Sequence, residues 1–240
     1  MTVITTLLSA ALLGLGSAQA ASGPQCTTKF SGVLSTNQFE NSSGKIVFRP
    51  YALNYRGEVS YYRTTKHDLI NAEFQTCTPN YAGEPNGADD DQLYGRIYIP
   101  SSKTCLAVTN PSGSPPYYLA SKSCISSASG EMKTDKSIPF NFVADGSGGD
   151  VDIRWLGGTI PSKKIYQGPS PPAQYCFGQY FVNSTNLQHG FNFNGLGEPN
   201  TSGSTAEAYR IHLYCNEKKG GKGSTGFNSF TLLPADQLSN

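Results

Sequence analysis

Charge is scarce in this chain: only 15% of its 240 residues are Asp, Glu, Lys or Arg, with 18 basic side chains against 17 acidic ones. So even a balance supplies no basic footprint for nucleic acid and no patch for an anionic membrane, and neither partner is expected. Long apolar runs are missing after the first twenty residues, so no later segment is expected to cross a bilayer as a helix. No C-x2-4-C pair occurs, the nearest cysteines being Cys105 and Cys124, which argues against a zinc site. His67, His189 and His212 stand in neither a G-x-S-x-G nor an H-E-x-x-H context. Asp89-Asp90-Asp91 lack the spacing of a Ca2+ loop and read as a solvated turn beside Gly87 rather than as a glycosidase pair. In the loop from Lys218 to Thr225, Lys222 is followed by Gly223 where a phosphate loop requires Ser or Thr. No catalytic residue, metal or cofactor is therefore expected.

Turn formers and aromatics are plentiful instead. The chain has 26 Gly, 15 Pro, 14 Tyr and 12 Phe, a composition of turns and strands that argues against long helices. Its first twenty residues carry no charged side chain and contain the apolar run Leu7-Leu8-Ser9-Ala10-Ala11-Leu12-Leu13-Gly14-Leu15 before Ala18-Gln19-Ala20. Small residues in an A-x-A arrangement after an apolar run mark a signal peptide, here residues 1–20, although Lys and Arg are missing from its start. The mature chain, residues 21–240, is then expected to be a single secreted, extracellular domain, and a monomer. Cys26, Cys77, Cys105, Cys124, Cys176 and Cys215 all follow the leader, and an even number in an oxidising compartment predicts three disulfides, with the pairing open. Asn41, Asn183 and Asn200 begin N-x-S/T sequons in polar surroundings, the expected sites of N-glycosylation.

Apolar residues alternate with polar ones over short stretches. Val151, Ile153 and Trp155 alternate with Asp152 and Arg154, Ile211 and Leu213 flank His212, and Ile97 and Ile99 flank Tyr98. These are strands with one buried face, and Trp155 belongs to the core. Breakers such as 110–116, 145–150 and 168–172 separate them. The stretch from Lys66 to Thr76 suits a short helix or a strand equally. The fold class is all-β, a sandwich or a barrel.

An internal repeat would decide between the two. Phe74-Gln75-Thr76-Cys77, Leu119 to Cys124 and Ile211 to Cys215 are each an extended run closing on a cysteine, giving three units of about 60 to 80 residues. A competing match sets Gly83-Glu84-Pro85-Asn86 before Tyr94-Gly95-Arg96-Ile97 against Gly197-Glu198-Pro199-Asn200 before Tyr209-Arg210-Ile211, in another register.

The segment from Gly95-Arg96-Ile97 through Cys105-Leu106-Ala107-Val108, with the later Cys124, resembles one repeat of a ricin-B-type, lectin-like β-trefoil over about residues 93–143. The resemblance implies a β-trefoil-like fold with pseudo-threefold repeats of hairpins, here joined by long loops, that holds sugars in shallow pockets. It also implies the pairs Cys105 with Cys124 and Cys176 with Cys215, leaving Cys26 with Cys77. The family's sugar-binding aspartate is replaced by Ala107, and its stacking aromatic by Lys122, with Gln75 and Leu213 at the related positions. Its Gln-x-Trp survives at best as Pro139-Phe140-Asn141 and Phe227-Asn228-Ser229.

With that pocket altered, ligand contact is expected on exposed aromatic surface. Tyr117 and Tyr118 are the candidate ligand-binding residues, with Tyr61-Tyr62, Tyr175 and Tyr180 behind them, because a tyrosine face packs on sugar CH groups while its hydroxyl hydrogen-bonds; the alternative is that such rings alternate into the core or cap strand ends, adjacent ones in a strand pointing to opposite faces. The expected function is non-catalytic binding of an extracellular glycan or cell-wall polysaccharide. Two other classes fit the same sequence: a protease inhibitor or host-directed effector presenting loops to a protein, and a hydrolase.

Overall fold

In the computed structural model, which describes residues 25–39, 46–62, 67–78, 92–111, 117–125, 135–146, 151–155, 177–181, 187–189, 193–199, 208–214 and 229–238, the alternating segments are strands. Residues 1–20, Asn41, Asn183, Asn200, Cys176 and Cys215 lie outside the described residues. In chain order the strands are β1 (Gln25–Phe39), β2 (Ile46–Pro50), β3 (Ala52–Leu53), β4 (Val59–Tyr62), β5 (Asn71–Thr78) and β6 (Gln92–Ile99). They continue with β7 (Thr104–Val108), β8 (Tyr117–Ser123), β9 (Phe142–Asp145), β10 (Asp152–Trp155) and β11 (Phe177–Phe181). The last four are β12 (Leu187–His189), β13 (Phe193–Pro199), β14 (Ala208–Tyr214) and β15 (Phe230–Leu233).

Six of them close a barrel. β1 pairs with β5, β5 with β6, β6 with β9, β9 with β10, β10 with β15, and β15 again with β1, every pair antiparallel. Closure removes the unpaired edges an open sheet would leave. The inward residues include Ile97, Ile153 and Trp155, whose alternation predicted it, and also Phe74, Phe142 and Phe230; all six are at most 1% exposed. Burial of each such side chain contributes about 1.5–3 kcal/mol. Arg154 departs from the alternation, being buried rather than solvated. Gly95 is needed where β6 crosses β5, since a Cβ there would collide with the Gln75 carbonyl oxygen.

Between the barrel strands the chain makes hairpins. β3–β4 falls between β1 and β5, β7–β8 between β6 and β9, and β13–β14 between β10 and β15. The three meet: β14 pairs with both β4 and β8, and Glu58 bridges to Ala120. Their apolar faces, with Val59, Leu106, Leu119, Ile211 and Leu213, join the barrel interior in one core.

Two disulfides are formed among the described residues. Cys26–Cys77 clips β1 to β5 at directly opposed residues, and Cys105–Cys124 ties the start of β7 to the residue after β8. Both are pairs the resemblance implied, and they mark an oxidising compartment. The third expected pair falls outside the described residues. Among those residues no helix is long and apolar enough to cross a membrane.

Two expectations need correction. The repeat built on cysteines is out of register, because Cys77 sits in a barrel strand opposite Cys26 whereas Cys124 follows a hairpin strand. The competing match fares no better, because Arg96 lies in barrel strand β6 opposite Gln75 while Arg210 lies in hairpin strand β14 opposite Ser60. The ambiguous stretch before Thr76 resolves as strand from Asn71 onward, since Phe74 is needed inside the barrel.

Candidate ligand-binding cleft

Tyr117 and Tyr118 do not form the exposed platform expected of them. Tyr117 is 1% exposed, its ring 5.2 Å from that of Trp155. Burial accordingly pushes its hydroxyl above the ordinary tyrosine pKa. Tyr118, turned to the other face of β8, is 9% exposed beneath the Arg210 guanidinium, which lies 4.0 Å from its ring centre. That guanidinium also donates to Glu58 Oε1 at 3.2 Å, so β14 covers β8 with a cation held in place by the residue just before β4. The correction has a simple cause: both faces of β8 are occupied.

Tyr61 and Tyr62 are half-buried; Arg49 lies 5.2 Å from the ring centre of Tyr61, and His67 stacks on Tyr62 at 3.7 Å. Tyr175 lies outside the described residues, as do Asp89 to Asp91 and 218–225. The position of the family's aspartate, Ala107, is 2% exposed in β7 opposite Ala120, whereas Lys122 is exposed.

A concave site exists elsewhere. One wall is the segment His67–Ile70, fixed by a bridge from Leu69 to Ala52 and by the Ile70 amide donating to the Tyr51 carbonyl at 2.9 Å. The Ile70 carbonyl in turn accepts from the Leu34 amide at 2.8 Å, anchoring the wall to β1. The other wall is the turn from β6 to β7, Pro100 to Lys103, in which Lys103 takes the left-handed conformation with φ 55°. Between them lies a cleft of about 450 Å³ lined by Leu53, His67, Asp68, Leu69, Ile70, Ile99, Ser101 and Ser102. That is the size of a small-ligand pocket.

The lining has two halves. Ile70 and Ile99, each 3% exposed, and the half-buried Leu53 make an aliphatic floor, with Leu69 exposed beside it. Asp68, His67 and the hydroxyls of Ser101 and Ser102 stand exposed at the rim. A carboxylate accepts from hydroxyls, serine both donates and accepts, and imidazole does either according to its tautomer. From Ser102 a line of hydroxyls runs across the hairpin, Ser102 Oγ to Thr104 Oγ1 at 2.6 Å and Thr104 Oγ1 to Ser121 Oγ at 2.6 Å. Among the described residues no three His, Cys, Asp or Glu gather as metal ligands. Sequence reading weighed His67 only as a catalytic group and missed Asp68, Ser101 and Ser102, which belong to no motif and meet only through the fold. Comparison with protein-family models, curated proteins and solved structures finds no match.

Proposed function

We propose that the protein is a secreted, monomeric β-trefoil that binds an extracellular polysaccharide in the Asp68 cleft and performs no chemistry on it. The trefoil reading is supported by the order of the barrel strands, which follows the chain, and by the hairpins β3–β4, β7–β8 and β13–β14 set between β1 and β5, β6 and β9, and β10 and β15, the last interval also holding the separate pair β11–β12. Secretion is supported by the leader sequence and by disulfides.

The observation that carries the binding function is the cleft lining: a carboxylate, two hydroxyls and an imidazole above an aliphatic floor. A sugar ring has that same division, hydroxyls around its edge and CH groups on its faces. Glycoside hydrolysis uses a pair of carboxyl groups, and among the described residues Asp68 is the one carboxylate in the lining. This site differs from the family's usual pocket, whose aspartate position is the buried Ala107.

The test is calorimetric titration of the mature protein with soluble oligosaccharides of chitin, β-glucan and cellulose, alongside a reducing-sugar assay. Binding without sugar release is expected. Asp68→Asn should weaken it at least about tenfold, because hydrogen bonds to a charged group are worth about 1.5–3 kcal/mol. Equal binding by Asp68→Asn, or no binding by the wild type, overturns the proposal.

A further inference from the structure

The described surface displays two large apolar side chains, Leu69 and Tyr55, at 36% and 68% exposure. Leu69 lines the cleft. Tyr55 stands at the tip of the β3–β4 hairpin, and that tip is rigid. Asn54 Oδ1 accepts from the amides of Arg56 and Glu58, each at 2.9 Å, and Asn54 Nδ2 donates to Glu58 Oε2 at 2.9 Å. The Gly57 amide donates to the Asn54 carbonyl at 2.8 Å, and Gly57 adopts φ +74°, a conformation open to glycine. Tyr55 is therefore held out on a fixed turn, with Arg56 5.1 Å from its ring centre.

This turn adjoins the hydroxyl line that starts in the cleft. The Ser121 amide donates to the Gly57 carbonyl at 2.8 Å, and Ser121 Oγ is the far end of the Ser102–Thr104–Ser121 series. From the Ser102 hydroxyl the series therefore passes Thr104 and Ser121 and reaches Gly57, two residues along the turn from Tyr55.

We propose that the binding surface runs on from the cleft, over the Ser102, Thr104 and Ser121 hydroxyls, to Tyr55 as an outer stacking platform, so that the ligand is a polysaccharide chain rather than a terminal sugar. The inference rests on the cleft reading above. Hydroxyls between the two ends suit the edge of a chain, and the face of the Tyr55 ring away from Arg56 suits the CH face of a sugar unit beyond the cleft. The turn is pre-ordered, so little entropy is lost on binding.

The experiment is calorimetry on the mature protein with each oligosaccharide series from monosaccharide to hexasaccharide, for the wild type, Tyr55→Ala and Asp68→Asn. Wild-type affinity should climb with length. Tyr55→Ala should bind the hexasaccharide about tenfold more weakly and the monosaccharide and disaccharide as the wild type does. Its unfolding midpoint should equal the wild-type value, since the ring is exposed. Undiminished hexasaccharide binding by Tyr55→Ala, or an equal loss at every length, overturns the extension while an Asp68→Asn loss leaves the cleft standing. Absence of binding at every length by the wild type overturns both.

Discussion

Replacing Tyr117 by alanine separates a core tyrosine from a ligand platform. The ring is 1% exposed and tilted 58° against Trp155, in the cluster that holds Leu119, Ile211 and Leu213. Truncation removes an aromatic ring from a packed interior and leaves a cavity, which costs about 3–5 kcal/mol. Set against a total stability of about 5–15 kcal/mol, that is a large share, and the melting temperature should fall by about 10 °C. Tyr118→Ala should cost less, about 2 kcal/mol, because its ring lies under the Arg210 guanidinium outside the main core cluster and leaves no deep cavity. The assay is urea unfolding of the disulfide-intact protein, read as a shift of the midpoint at unchanged slope. A Tyr117→Ala variant with stability within about 1 kcal/mol of wild type but no polysaccharide retention would refute the reasoning, since the ring would then act at the surface.

Three other perturbations have defined outcomes. Non-reducing peptide mapping should recover Cys26 linked to Cys77 and Cys105 to Cys124; double replacement by serine should cost about 4 kcal/mol for the longer loop and about 3 kcal/mol for the shorter in the chain-entropy account, and other linkages would contradict the strand register. His212 has its pKa lowered below the ordinary 6.5 by burial, so the folded state resists protonation that the unfolded chain accepts. Stability should therefore be full above pH 6.5 and decline as the pH falls below it; the urea midpoints at pH 8 and pH 5 should differ less in His212→Gln, and an identical difference would exclude the histidine as the cause. Gly95→Ala drives a methyl into the Gln75 carbonyl and within 3.2 Å of the Phe74 ring, so β5 and β6 must part; a cost above about 2 kcal/mol is expected, and a wild-type midpoint would contradict their pairing.

Local pattern carried the strands. The alternations at Ile97 and Ile99, at Ile153 and Trp155, and at Ile211 and Leu213 each became a strand with those side chains inward, because burial of one face is what such a period encodes. At Tyr117-Tyr118 the period puts the rings on opposite faces, but no polar residue tells which face is solvated, and the exposed platform expected there is absent. Arg210, from a strand far along the chain, covers the second ring, and a sequence pattern cannot register a lid of that origin. Cysteine position misled for a related reason. Cys77 and Cys124 each end an extended run, yet one belongs to a barrel strand and the other to a hairpin, a difference fixed by pairing with β1 and β7. The cleft was illegible in outline as well as detail, because Asp68 and Ser102 lie on separate turns and acquire meaning only when β5 pairs with β6. The turn at Tyr55 lay between two residues, Asn54 and Gly57, that favour turns, but its nearness to Ser121 is tertiary.

The most direct measurement is amide chemical-shift mapping on the isotope-labelled mature protein, titrated with the tightest-binding oligosaccharide from the calorimetry. Binding in the proposed cleft predicts that the largest saturable shifts fall on His67, Asp68, Ser101 and Ser102, continuing to Ser121 and Tyr55 for longer chains. Shifts centred instead on Ala107 and Lys122, or spread without saturation, would contradict polysaccharide recognition at this site.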